Sequence, residues 1–145
     1  MTRLRSATAA GLLAWAAVIA WAAVIFALSA TPNLRFAQTD TVDFIVRKAG
    51  HMAVFGIFAV LLWRAISLSR RRGAILLSFG LTVAYAASDE FHQSFTVGRH
   101  PSPVDVTIDS SGALIALAAL ALWLHYWLRY SSATGRPRML KPPST

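Results

Sequence analysis

The stretch DEFHQSFTVGRHPSPVD, residues 89–105, lies between two hydrophobic runs and is followed one helical turn later by Asp109. It gathers three carboxylates, two histidines, an arginine and a glutamine in a chain with only six acids in all. Ionisable groups close to membrane depth are expensive to keep and tend to mark functional sites. The flanking runs decide the fold, and the stretch itself decides where to look for function.

Composition sets the frame. Of the 145 residues 56% are hydrophobic and 14% charged, and the mean hydropathy is +0.53, the profile of a membrane protein of one domain. There is no cysteine, which excludes disulfides, thiolate nucleophiles and sulfur-ligated zinc. The net charge of +8 does not form a nucleic-acid stripe, because most basic residues sit beside hydrophobic runs, where they orient a chain in the bilayer. The expected surroundings are therefore a lipid bilayer, with no nucleic acid.

Working outward, four spans emerge. Ala7 to Ala30 is uncharged for 24 residues, more than the roughly 20 needed to cross the hydrocarbon core as a helix. Ala27-Leu28-Ser29 has the small-residue spacing of a signal-peptide cleavage site, but the run exceeds a usual h-region, so a retained helix is expected. Thr31 to Lys48, with Pro32, Arg35, Asp40, Asp43 and Arg47, reads as a polar connection. A second span opens at Ala49 and passes Trp63, and Lys48 and His51 lie at its mouth, three residues apart on one face. Arg70, Arg71 and Arg72 make a basic turn before a third run, Gly73 to Ser88, that needs the first turn of DEFHQ to complete its crossing. The fourth run starts near Pro103, and His125 lies at its far end among Trp123, Tyr126 and Trp127, as in an interfacial aromatic belt.

The expected architecture is all-α: an integral membrane bundle of four transmembrane helices, N-in/C-in. Residues 1–128 form the domain, with spans at about 8–29, 49–68, 73–92 and 103–128. Residues 129–145 read as a disordered basic cytoplasmic tail holding Arg129, Arg136, Arg138 and Lys141. The positive-inside rule gives the orientation, because it leaves only Arg35, Arg47, Lys48 and Arg99 of the fourteen basic residues outside. All six acids then lie outside with His51, His92 and His100. Small residues in each span, Ala16, Ala20 and Ala23, Gly50 and Gly56, Gly80 and Ala84, Gly112 and Ala116, are expected at helix contacts.

Within the polar stretch, a helix continued through DEFHQ places Asp89, His92 and Gln93 on one face and turns Glu90 elsewhere. A carboxylate one turn from an imidazole suits proton transfer or ligation, and the alternative is a solvated helix end. Thr96 to Pro101 reads as a rigid turn around Gly98. Its Arg99 guanidinium fits two oxygens of a phosphate or carboxylate, or pairs internally with Asp89 or Asp105. Ser102-Pro103-Val104-Asp105 is a helix start, with Ser102 a cap rather than a nucleophile. Asp105 and Asp109 then share a face, and a helix dipole accounts for the first but not for the second, a turn deeper. Histidines and carboxylates could ligate a metal, but without HExxH or a comparable pairing no metal or other cofactor is assigned.

Ser29, Lys48-x-x-His51, Asp89-Glu90-x-x-Gln93-x-Phe95, Gly98-Arg99, Asp105 and Gly112 together resemble the VanZ-like family of small bacterial membrane proteins, over roughly residues 25 to 128. Met52 and Phe55 stand where that pattern has phenylalanine and tyrosine, Arg47 where an acid often precedes the lysine, and Asp109 where asparagine is usual. The namesake of the family is associated with teicoplanin resistance, so the resemblance implies a cell-envelope role in the bacterial cytoplasmic membrane. It also implies that the outer cluster of Lys48, His51, Asp89, Glu90, His92, Gln93, Arg99, Asp105 and Asp109 is the site. Such a cluster suits binding of an anionic or polar head group, a lipid-linked cell-wall precursor or the glycopeptide. It also suits a hydrolase or transferase acting on such a lipid, and, thirdly, a structural lock between helices.

Overall fold

In the computed structural model, which describes residues 2–31, 38–97 and 102–134, the chain forms four helices. They are α1 (Thr2–Ser29), α2 (Asp40–Ser69), α3 (Ala74–Gln93) and α4 (Pro103–Thr134). All four are long and apolar enough to cross a membrane, and no strand occurs among the described residues. At 1.5 Å per residue the 20 residues of α3 reach about 30 Å, the thickness of the hydrocarbon core. α2 and α4, of 30 and 32 residues, must project beyond it or tilt.

Two boundaries differ from the hydropathy reading. α2 starts at Asp40, ahead of the span expected from Ala49, because Asp43 and Arg47 are spaced one helical turn apart and pair at 2.9 Å along the helix. α4 runs on to Thr134, past the expected end at 128, carried by the packed rings of Trp123, Trp127 and Tyr130. Residues 135–145, with Arg136, Arg138 and Lys141, lie outside the described residues.

α2 is the hub. It packs against the other three helices, most extensively against α4, while α1 and α4 make no direct packing contact among the described residues. The chain alternates direction, so Ser29, Asp40, Gln93 and Pro103 gather at one end, the polar end, and the Arg70–Gly73 turn lies at the other. That turn closes with the Arg70 N–H donating to the Ile66 carbonyl at 2.7 Å, and Gly73, at φ 73°, supplies the left-handed residue that starts α3.

In a bilayer the apolar effect does not drive helices together, so packing and hydrogen bonds must. α1 presents Ala14, Val18, Ile25 and Ser29 to the bundle, and the Trp21 indole N–H donates to the Val54 carbonyl at 2.9 Å. Tyr85 of α3 donates to the Ala22 carbonyl at 2.8 Å and sets its ring, tilted by 43°, 4.9 Å from that of Phe58. Such cross-helix bonds contribute about 0.6 kcal/mol each. Ser78 and Thr82, fully buried, return their hydroxyls to their own helix at 2.7 and 2.8 Å.

The small residues divide sharply. A Cβ on Gly112 would overlap the carbonyl of Met52, and one on Gly56 would stand 3.1 Å from the Gly112 carbonyl oxygen, so α2 and α4 touch backbone to backbone. Gly50 and Gly80 have nothing within 4 Å of an added Cβ, and Ala16, Ala20, Ala23 and Ala84 face outward. The expectation that each small residue marks a helix contact holds for Gly56, Gly112 and Ala116 and fails for these six, because composition does not say which face of an apolar helix is inward.

Candidate functional site at the polar end of the bundle

Six of the eight buried polar residues among those described, Ser29, Asp43, Asp89, Glu90, Gln93 and Asp109, lie at the polar end. They sort by seam. Between α1 and α3, the Ser29 hydroxyl donates to Asp89 Oδ2 at 2.7 Å and the Gln93 amide donates to the same oxygen at 2.9 Å. All three are at most 5% exposed, so the Asp89 carboxylate is held by neutral donors from two helices. Between α3 and α4, Glu90 Oε1 accepts the Ser102 N–H at 2.6 Å, and Ser102 Oγ in turn accepts the Val104 N–H at 3.2 Å. Ser102 therefore caps α4, as its sequence context implies, and Glu90 anchors the start of that helix to the end of α3.

The expected grouping on α3 is only partly met. Asp89 and Gln93 do act together, but Glu90 is buried too, at 7% exposure, and His92 turns to stack on Phe26 of α1 at 4.3 Å between ring centroids. The last turn of α3 is sandwiched between α1 and the start of α4, so two faces of it are covered rather than one. His92 Nε2 is closed off from solvent with no hydrogen-bond partner among the described residues.

The α2–α4 seam is built differently. Lys48 and His51, three residues apart on α2, meet Asp105 and Asp109, four apart on α4. Lys48 Nζ pairs with Asp105 Oδ1, and His51 Nδ1 lies 3.3 Å from Asp109 Oδ1. The two helices run in the same direction, so the pairs stack as successive rungs, and the next contacts inward are Met52 on Gly112 and Gly56 on Ala116. The glycine contact explains how so short a side chain as aspartate reaches its partner: it sets the helix separation one turn below. The bases stay partly open, with side-chain exposures of 26% for Lys48 and 25% for His51, while the Asp109 side chain is 2% exposed. The ammonium also lies 5.4 Å from the Phe44 ring centre.

Of the nine residues the sequence singles out, eight are among the described residues and stand at this end; Arg99 lies outside them, as do Gly98, His100, Pro32 and Arg35. Asp43 was missed. It is 2% exposed and paired with Arg47, and the one signal that could have found it is its four-residue spacing from that arginine. Among the described residues no three His, Asp or Glu side chains converge on a point where a metal would sit.

In chemical terms, the arrangement offers one ammonium and one imidazole side by side at a rim, each beside a carboxylate of α4. Asp109 Oδ1 faces His51 Nδ1 at 3.3 Å, which sets a carboxylate beside the ring without closing a hydrogen bond to it. The profile of the family described as VanZ/LLP1 matches residues 10–125, most of the chain and all of the polar end described above. No curated protein and no solved structure matches at a significant level.

Proposed function

Because the chain belongs to the VanZ/LLP1 family and is a multi-pass membrane protein, we propose that its polar end faces outward from the bacterial cytoplasmic membrane and binds an anionic or polar head group there. The ligand class is a lipid-linked cell-wall precursor or a glycopeptide antibiotic, and binding of either could underlie glycopeptide resistance. The observation that carries this reading is the pair of partly open bases, Lys48 and His51, presented together and steadied from α4 by Asp105 and Asp109. A phosphate or carboxylate approaching the rim meets a cation already oriented, so little side-chain ordering remains to oppose binding. Orientation is supported by the basic residues at the other end, Arg64, the Arg70–Arg72 turn and Arg129.

A second reading has its own support. The placement of Asp109 on His51 Nδ1 is that of a base and its orienting acid, which suits a hydrolase or transferase acting on a lipid-linked substrate. His51 would take a proton from water or a hydroxyl, and Lys48 would face the developing negative charge.

One experiment separates the two. Lys48→Met, His51→Gln and Arg99→Ala are compared with the unmodified chain for thermal stability, for binding of a lipid-linked cell-wall precursor, and for release of product from it. Graded loss of binding with retained folding supports the head-group site. Turnover by the unmodified protein that vanishes in His51→Gln while binding survives supports the enzyme. Unchanged binding in all three variants rules out the site at this rim.

A further inference from the structure

Directly beneath the two rungs, α2 and α4 enclose an open groove of about 590 Å³ whose lining is wholly apolar. Ala49, Ala53 and Ile57 form one wall and Ile115, Ala116 and Ala119 the other, over the floor where Gly56 meets Gly112. The groove begins at the polar rim: Ala49 follows Lys48 in sequence and Met52 follows His51, and both line its mouth. It extends along α2 as far as Leu61. From Ala49 to Leu61 twelve helical rises measure about 18 Å, close to the depth of a single leaflet, roughly half of the 30 Å core. It stops well short of Ser69, where α2 ends.

We infer that this groove seats one hydrocarbon chain of a lipid whose head group lies against Lys48 and His51. The inference rests on the head-group reading and names the ligand class more closely: a membrane lipid rather than a soluble anion. Its length argues for a chain from one leaflet. A transmembrane helix of a second copy would cross the full thickness and, at about 10 Å across with its side chains, needs a longer and wider channel. Continuity argues the same way, because a lipid anchored at the rim must hang its chain past Ala49 and Ala53. Bulk lipid is as apolar as the groove, so retention comes from shape and dispersion contact, with the head group choosing which lipid enters.

The test uses the full chain in phosphatidylcholine nanodiscs with two probes that carry a photoreactive diazirine in the acyl chain, lysophosphatidic acid and the uncharged monoacylglycerol. The adducts are mapped by mass spectrometry. The inference expects lysophosphatidic acid adducts within 49–61 and 112–119 to exceed those at the outward Leu76 and Leu122 about fivefold. Ala53→Phe and Ala119→Phe, both at outward-facing lining positions, should abolish the excess, and Ala118→Phe, exposed on α4 but outside the groove, should not. Even labelling of every lipid-facing surface overturns the inference, as does a protein-to-protein cross-link formed from Ala53→Cys in place of lipid adducts. Equal groove labelling by both probes, unchanged in Lys48→Met, keeps the chain site and rejects the head-group role of the rim.

Discussion

The two polar seams at one end of this bundle use the same residue types to opposite effect. At the α1–α3 seam, Ser29, Asp89 and Gln93 satisfy one another out of reach of solvent. At the α2–α4 seam Asp109 is tucked behind His51 while Asp105 lies nearly as open as Lys48, and both bases keep about a quarter of their side-chain surface open. Backbone spacing explains the difference. α2 and α4 are drawn together by Gly56 and Gly112, so short aspartates suffice to bridge them, and the longer bases are left at the rim. α1 has no such glycine contact, and its attachment relies on single side chains such as Trp21 and Ser29 reaching across. One seam holds and the other presents.

The largest expected effect comes from removing the glycine that makes the second seam possible. Gly112→Leu must push α4 off Met52, and forcing bulk into so close a contact destabilises by about 3 kcal/mol or more, read as a lowered thermal midpoint in detergent. Gly80→Ala is the control on an open face, where nothing lies within 4 Å, and should be neutral or stabilise by up to about 1 kcal/mol. Equal behaviour of the two would sink the claim that the α2–α4 contact sets the geometry of the rungs.

Asp89→Ala comes next. It leaves the Ser29 hydroxyl and the Gln93 amide buried without their acceptor, at about 1–3 kcal/mol, and should loosen α1. Limited proteolysis in the 30–39 connection would report the loosening, while lipid binding at the α2–α4 rim should be retained by the molecules that stay folded. Binding that collapses along with α1 attachment would mean that the seams do not divide the labour.

Glu90→Gln weakens a charge-assisted bond to the Ser102 N–H without emptying the position, for about 1 kcal/mol. Exchange of the amide protons in the first turn of α4 should quicken accordingly. The smallest effect on stability belongs to Lys48→Met. A partly exposed ion pair contributes about 0–1 kcal/mol, so folding should barely change. If the thermal midpoint instead falls as far as in Asp89→Ala, Lys48 is part of the lock and not of a binding rim.

Much of this was legible beforehand. Hydropathy runs set four helices, and the pairing of Asp105 and Asp109 on a face followed from their spacing. The helix start at Ser102 followed from its cap and proline. What remained illegible has a common cause. A single helix face turns Glu90 away from Asp89 and Gln93, whereas α3 ends between two neighbours and Glu90 is buried against the start of α4. Asp43 reads as part of a connection because its partner Arg47 is a local one, and polar residues ahead of a hydropathic run look like loop. Gly50 and Gly80 read as contacts on the same grounds as Gly56, since residue type carries no record of azimuth when both faces of a helix are apolar.

A membrane bundle of four helices with its acids confined to one end follows from residue order alone, because charge burial in lipid is costly enough to dictate position along the membrane normal. Which acid faces which base follows from the packing of the helices. The rungs from Lys48 to Asp105 and from His51 to Asp109, and the closed set around Asp89, depend on helix rotation and separation. Those are fixed by close contacts such as Gly112 against Met52, which join residues far apart in the chain and leave no local pattern to read.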